Sequence, residues 1–217
     1  MVAPLIATIP EALRHWKRVD PRLHAVARKH PPEGFALSRG SSYSTLVASI
    51  LSQQVSVKAA DAMYRKLELA CGGRVRPELV AGLSDEALRA CGFSTQKRVY
   101  VRDLSERALD GRLNFRRFPR LPDEEVIDAL TEVKGVGRWT AQMFLLFHLA
   151  RPDVVAPDDL GLQLSAVEIY GLADAKAGKR FLALQAPVWS PHGSLACLTL
   201  WHYRRLRLNG QRAVPAQ

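Results

Sequence analysis

The sequence predicts an all-α fold. Three observations carry that reading. Apolar residues recur at helical spacing in one segment after another; Ser, Asp or Pro stands ahead of several of these segments and Gly follows several; and no run of alternating residues is long enough to make a sheet. Leu46, Val47, Ile50 and Leu51 form an i, i+1, i+4, i+5 stripe after Tyr43-Ser44, and a second helix is expected from Ser56 through Leu69, stopped by Gly72-Gly73. Ser84 is placed to cap a helix whose first turn holds Asp85 and Glu86, acids that suit a positive helix end. Gln96 to Leu109 reads as amphipathic and ends near Gly111; Pro122-Asp123-Glu124-Glu125 then opens a helix over Val126 to Leu130. After a Gly-Val-Gly turn, Trp139 to Leu149 is too apolar for a surface helix and is expected to be buried. Asp158 or Asp159 caps Leu160 to Ile169, and Asp174 to Leu184 and Ser194 to Leu208 supply the last two helices.

A chain of 217 residues, 47% hydrophobic, can bury a full core in one or two packed lobes. Its 31 Lys and Arg against 21 Asp and Glu give a formal charge of +10, which favours a polyanionic partner such as nucleic acid. Cys71, Cys91 and Cys197 lie far apart with no C-x-x-C pair, so neither a four-cysteine zinc site nor an iron–sulfur cluster is expected. His24, His30, His148, His192 and His202 show no metal-ligand spacing, and His148 reads as a core residue. The apolar start, Met1 to Pro10, lacks a basic leader and carries two prolines, and no run reaches the ~20 residues of a membrane span. A reducing, cytoplasmic and nucleoid-associated setting is the expectation.

The densest chemical signal is Val133-Lys134-Gly135-Val136-Gly137-Arg138-Trp139-Thr140-Ala141, followed downstream by Pro157-Asp158-Asp159. A Gly-Val-Gly turn running straight into an apolar helix presents backbone N–H groups at a positive helix end, which suits a phosphate. The carboxylates add negative charge beside whatever the turn holds. The pattern reads as a chain that grips a DNA backbone and acts on a sugar or a base.

At these residues the chain resembles the helix–hairpin–helix DNA glycosylase superfamily, and within it the alkylation-repair branch of 3-methyladenine-DNA glycosylase II. Ile50-Leu51-Ser52-Gln53-Gln54-Val55-Ser56-Val57-Lys58-Ala59-Ala60 is similar to that branch's helix-and-loop signature. Glu132 to Phe147 is similar to its hairpin, and Ala156-Pro157-Asp158-Asp159-Leu160-Gly161-Leu162-Gln163 to the segment bearing its catalytic aspartate. Trp189-Ser190-Pro191 through Leu200-Trp201 resembles its C-terminal helix. The blocks stand in family order. The resemblance implies two helical lobes, residues 1–40 with 160–217 and residues 41–159 with the hairpin, and an active site in the cleft between them. With about forty residues ahead of the first block, the N-terminal β domain of some members is expected to be absent.

The activity implied is monofunctional excision of alkylated bases from double-stranded DNA, by a monomer and without a cofactor for catalysis. A structural monovalent cation at the hairpin turn is the one ion expected. The family's essential aspartate aligns with Asp159, with Asp158 as rival; its carboxylate would stabilise an oxocarbenium-like sugar. Relatives that also nick DNA carry a lysine where this chain has Trp139, whose ring could instead stack on an extruded, often cationic base. Tyr43 is a candidate second pocket wall, whereas Trp189 and Trp201 read as core. Gln53 and Gln54, with Gln54 favoured, stand where the family fills the gap left by a flipped nucleotide. Backbone amides of Gly135, Val136 and Gly137, with Arg138, are the candidate DNA grip, and Lys58, Lys97 and Arg98 are further phosphate candidates. Lys134 stands where proline is commoner, and Pro191-His192-Gly193-Ser194 lacks the arginine of close relatives' Pro-x-Arg-Ser. Two other readings share these features: a glycosylase for deaminated or oxidised bases, and a hairpin module that binds DNA without catalysis. The second requires neither the carboxylate nor the extrusion loop.

Overall fold

The computed structural model describes residues 3–32, 35, 37–38 and 40–212; Met1 and Val2, where the expected absence of a leader begins, lie outside them. No strand occurs among the described residues. The helices are α1 (Ala3–Ala7), α2 (Ile9–Val19), α3 (Pro21–Lys29), α4 (Ser42–Ser52), α5 (Val57–Ala70), α6 (Pro77–Ala81) and α7 (Asp85–Ala90), then α8 (Thr95–Leu109), α9 (Asp123–Thr131), α10 (Arg138–Phe147), α11 (Leu160–Tyr170), α12 (Ala175–Trp189) and α13 (Gly193–Arg212). None is long and apolar enough to cross a membrane. The chain packs as two units, Met1–Leu37 with Leu145–Gln217, and Ser38–Phe144.

In the unit made from the chain's two ends, α11 packs on α12 and α13, and α2 and α3 pack on α12 and α13 respectively. Helices α1 to α3 are not among those the sequence pattern predicts. They are short, separated by single residues, and start at prolines: Pro10 and Pro21 occupy first-turn positions that need no N–H. Asp20 joins two of them, ending α2 and capping α3 by accepting from Leu23 N at 2.9 Å. Its other oxygen accepts from Tyr170 Oη at 2.6 Å and Trp189 Nε1 at 2.8 Å. One buried carboxylate therefore fastens the N-terminal helices to the ends of α11 and α12. Burial and this acceptor push the Tyr170 phenol far above its usual range. To bury Trp189 completely, α12 continues past the expected Leu184 through Pro187.

Residues 145–159 belong to this unit, whereas the expected division left them in the central lobe. Hydrogen bonds explain the assignment. Arg151 N donates to Leu145 O, and Ser194 at the start of α13 donates to Arg151 O and accepts from Val154 N.

In the central unit α4, α6 and α7 all pack on α8. Leu46, Ile50, Leu51, Val80, Leu88, Val101 and Leu104 are sealed from solvent there. Ser41, Ser56, Ser84 and Ser94 cap the starts of α4, α5, α7 and α8, each accepting the backbone N–H three residues on. Pro122 sits at the N-cap of α9, just outside the helix. Between α9 and α10 the chain turns at Gly135, where φ is +80°. A Cβ there would lie 2.1 Å from Tyr100 Cδ2, so only glycine lets the turn rest on that ring. Asp103, one turn along α8 from Tyr100, accepts from Lys134 N at 2.9 Å and pairs with Arg107.

Two predictions follow from these joints. Asp20→Ala is expected to destabilise the fold by about 3–5 kcal/mol, because it strands two buried donors and removes a cap. Asp20→Asn should lose about half as much, and urea unfolding that puts Asp20→Ala below about 1 kcal/mol refutes the role of the hub. Gly135→Ala is expected to cost about 3 kcal/mol, and adding Tyr100→Ala should recover the steric part, a coupling readable in a double-mutant cycle.

Candidate active site

Asp159 is the N-cap of α11, and its Oδ1 accepts from Leu162 N at 2.8 Å and from Trp201 Nε1 at 2.9 Å. Capping therefore orients the carboxylate, and the indole fixes it from α13. Gly161 permits the approach: a Cβ there would stand 3.1 Å from Asp159 Oδ1 and 3.5 Å from Trp201 Cδ1. Trp201 is itself set by rings, with Phe147 at 5.5 Å and Phe35 at 6.3 Å between centroids. Asp158 is the more exposed of the two aspartates and forms an ion pair with Lys179 on α12. The geometry separates the rivals: Asp159 is built into a cluster, Asp158 into a surface pair. Trp201, read from sequence as core, is half-buried and serves the carboxylate instead. The signal that could have found it is a tryptophan in the final block with an indole N–H to place, since partly buried Trp nitrogens seek acceptors.

The central unit brings together most of the other predicted residues. A cavity of about 660 Å³ is lined by Gln53, Gln54, Lys97, Tyr100, Gly135 and Trp139, among others. Trp139 is 43% exposed, although the next two residues, Thr140 and Ala141, and Phe144 to Leu146 are buried. The expectation of a wholly buried helix is thus corrected at its first turn, where the ring meets open space. Gln54 is exposed with φ +58°, a left-handed conformation uncommon outside glycine. Gln53 is turned inward, and its Nε2 donates to Gly135 O at 2.8 Å. The two glutamines therefore differ: one ties the loop to the hairpin turn and the other stands outside.

At the turn, the Val136 amide, expected to donate to phosphate, donates instead to Val133 O at 3.0 Å, and the Val136 side chain is buried. The amides of Gly135 and Gly137 find no backbone acceptor among the described residues. Beside Gly137 a Cβ would meet nothing within 4 Å, so that side of the turn is open to an approaching backbone. Arg138 Nη2 donates to Glu124 Oε1 at 2.6 Å, an exposed pair that a phosphate can replace.

Three further expectations are corrected. Tyr43 is 3% exposed, its hydroxyl is bonded to Ser105 Oγ at 2.7 Å, and burial drives its ionisation well above the usual range, so it is core and lines no open pocket. Lys97 and Arg98 are each 8% exposed and committed to the interior: Lys97 to three carbonyls, and Arg98 to Asp85 Oδ2 and Phe93 O. Neither is placed to meet a phosphate, whereas Lys58 is exposed on the first turn of α5. Trp189 is core as expected.

Cys71, Cys91 and Cys197 are free and buried, and burial pushes the Cys197 thiol up to about 12, far from a nucleophilic thiolate. Among the described residues no group of three or more His, Cys, Asp and Glu could hold a metal ion. Two hairpin carbonyls already accept hydrogen bonds, Gly135 O from Gln53 and Val133 O from Val136 N. A monovalent cation at this turn would share those oxygens with protein donors.

The chain is similar to several known proteins. DNA-3-methyladenine glycosidase from Bacillus halodurans is 36% identical, superposes with a TM-score of 0.84, and 93% of each chain is covered. The 3-methyladenine DNA glycosylase of Schizosaccharomyces pombe, solved in complex with abasic DNA, is 28% identical with a TM-score of 0.75 over 90% of this chain and 97% of that one. DNA-3-methyladenine glycosylase 1 of the same yeast is 29% identical over 195 residues, 88% of this chain and 83% of its own. Residues 47–190, spanning α4 to the end of α12 and thus both the hairpin and Asp159, match the model of the HhH-GPD superfamily of base excision DNA repair proteins, and the chain belongs to that family.

Proposed function

We propose that the protein is a monofunctional DNA glycosylase that hydrolyses the N-glycosidic bond of alkylated bases in double-stranded DNA. The observation that carries this reading is the Asp159 carboxylate, held on Oδ1 by Leu162 N and Trp201 Nε1. Two donors fix the position and orientation of the carboxylate. As the bond from C1′ to the base nitrogen lengthens, its electron pair leaves with the base and positive charge builds on the sugar. A fixed carboxylate stabilises that charge without having to reorganise. Water then adds at C1′ and gives up a proton, leaving an abasic site. A base made cationic by alkylation accepts the electron pair without prior protonation, so this reaction asks for no strong general acid.

The remaining residues fit the same reading. Trp139 offers an aromatic face, to which a cationic purine is attracted by about 0.5–2 kcal/mol. An indole cannot form a Schiff base with the sugar, so release by water is the chemistry supported, without strand cleavage. Gln54, exposed and able both to donate and to accept, is the candidate to fill the space of an extruded nucleotide. The Gly135 and Gly137 amides, with Arg138 released from Glu124, hold phosphate and position the duplex without reading its sequence.

Three outcomes test the assignment on randomly methylated DNA by assay of freed bases. Asp159→Asn is expected to lower release by about 10²–10³-fold, while Asp158→Asn stays within about twofold of the parent. Trp201→Phe, which removes only the N–H, should cost about tenfold with little change in melting temperature. Trp139→Ala should reduce release of cationic purines about tenfold and of neutral lesions less, and an equal loss on both would remove the stacking role. If the unaltered protein binds DNA and frees no base, the non-catalytic reading replaces this one.

A further inference from the structure

A lysine ammonium has three N–H donors, and Lys97 spends all three on one helix end. Nζ donates to Ile50 O at 2.8 Å, Leu51 O at 2.8 Å and Gln53 O at 2.9 Å. These are the last carbonyls of α4 and of its C-cap, groups that a helix leaves unsatisfied at its negative end. Helices commonly close there with a glycine in left-handed conformation. Here the left-handed residue is Gln54; Gln53 N reaches Ile50 O only at 3.4 Å, and a cation from a different helix adds a donor to that carbonyl and to those of Leu51 and Gln53. Lys97 is 8% exposed, and desolvation lowers its pKa. The neighbouring Gln53 side chain runs to the hairpin turn, whose Gly135 rests on Tyr100, one helical turn beyond Lys97. Loop, turn and α8 are thereby locked into one frame.

We infer that Lys97 is a positioning residue for nucleotide extrusion: by bonding the carbonyls of Ile50, Leu51 and Gln53 it sets the loop that presents Gln54 to the duplex. The inference rests on the glycosylase reading through the role given to Gln54. It separates from a merely structural role because extrusion matters most when the lesion is paired. A lesion that lacks an opposite base is cheaper to unstack and needs the loop less.

The test compares 7-methylguanine paired with cytosine in a duplex against the same base in a single-nucleotide bulge. For Lys97→Met, release from the duplex is expected to fall about tenfold more than release from the bulge. Equal losses on the two substrates, or no loss on either, overturn the inference. Should Lys97→Met fail to fold by circular dichroism, Lys97→Arg, which keeps charge and donors but not the compact tip, is read instead. Its duplex-to-bulge ratio is expected to shift about threefold in the same direction, and an unchanged ratio overturns the inference. A second readout does not depend on base removal: 2-aminopurine in a duplex brightens when it is unstacked. The unaltered protein should brighten it and the Lys97 variant should not. Base release by the unaltered protein together with normal brightening by the variant removes the inference and keeps the glycosylase reading. No base released by either protein removes the glycosylase reading, and the inference falls with it.

Discussion

An α-helix leaves N–H groups at its start and carbonyls at its end without partners inside the helix, and short connections give those groups little water to turn to. In this chain that constraint decides where the chemistry stands. Asp159 is aimed because it closes the start of α11. Gln54 stands out because the end of α4 is closed by Lys97, which leaves the residue beyond the cap to turn back in a left-handed conformation. At the hairpin Val136 closes the turn with its own N–H, while the Gly135 and Gly137 amides find no backbone acceptor among the described residues. The groups given roles on DNA are helix-end groups, placed first by the needs of the helices.

The same constraint explains which features could be read from the sequence. Serine and aspartate caps act over three residues, so Ser84 before its helix and Asp159 before α11 were visible as spacing. The Gly-Val-Gly turn was visible for the same reason. Partners far along the chain were not. Lys97 and Ile50 are 47 residues apart, and Asp159 and Trp201 are 42 apart. A lysine or arginine on an amphipathic segment reads as a solvated phosphate candidate until the fold shows carbonyls and a carboxylate around it, as happened for Lys97 and Arg98. Tyr43 misled in the opposite way: a tyrosine at a helix start looks available, but its hydroxyl satisfies Ser105 inside the core. The three N-terminal helices were not legible because prolines at the starts of α2 and α3 punctuate the segment, and their anchor, Asp20, binds residues 150 and 169 positions away.

Electrostatics adds a second layer. The +10 balance is distributed unevenly in use. Arg98 and Arg102 share Asp85, Arg107 meets Asp103, and Arg112 meets Glu106 and Asp110, so these four arginines are tied up in local pairs. The exposed pairs are worth little to stability and are easily exchanged for phosphate, whereas the enclosed guanidinium of Arg98 is part of the fold. Net charge attracts a polyanion from a distance, but the arrangement of pairs determines which cations remain to receive it.

The left-handed backbone at Gln54 also constrains how this loop can drift over generations. Glycine, asparagine and aspartate settle at such a φ at little cost, and unbranched side chains tolerate it. Valine, isoleucine and threonine are penalised by their own branched carbons before any duplex is met. The backbone therefore sifts the alphabet first and the DNA second. Lineages that keep this turn can exchange a hydrogen-bonding tip for a straight apolar one, but they reach a branched wedge only by rebuilding the turn beneath it.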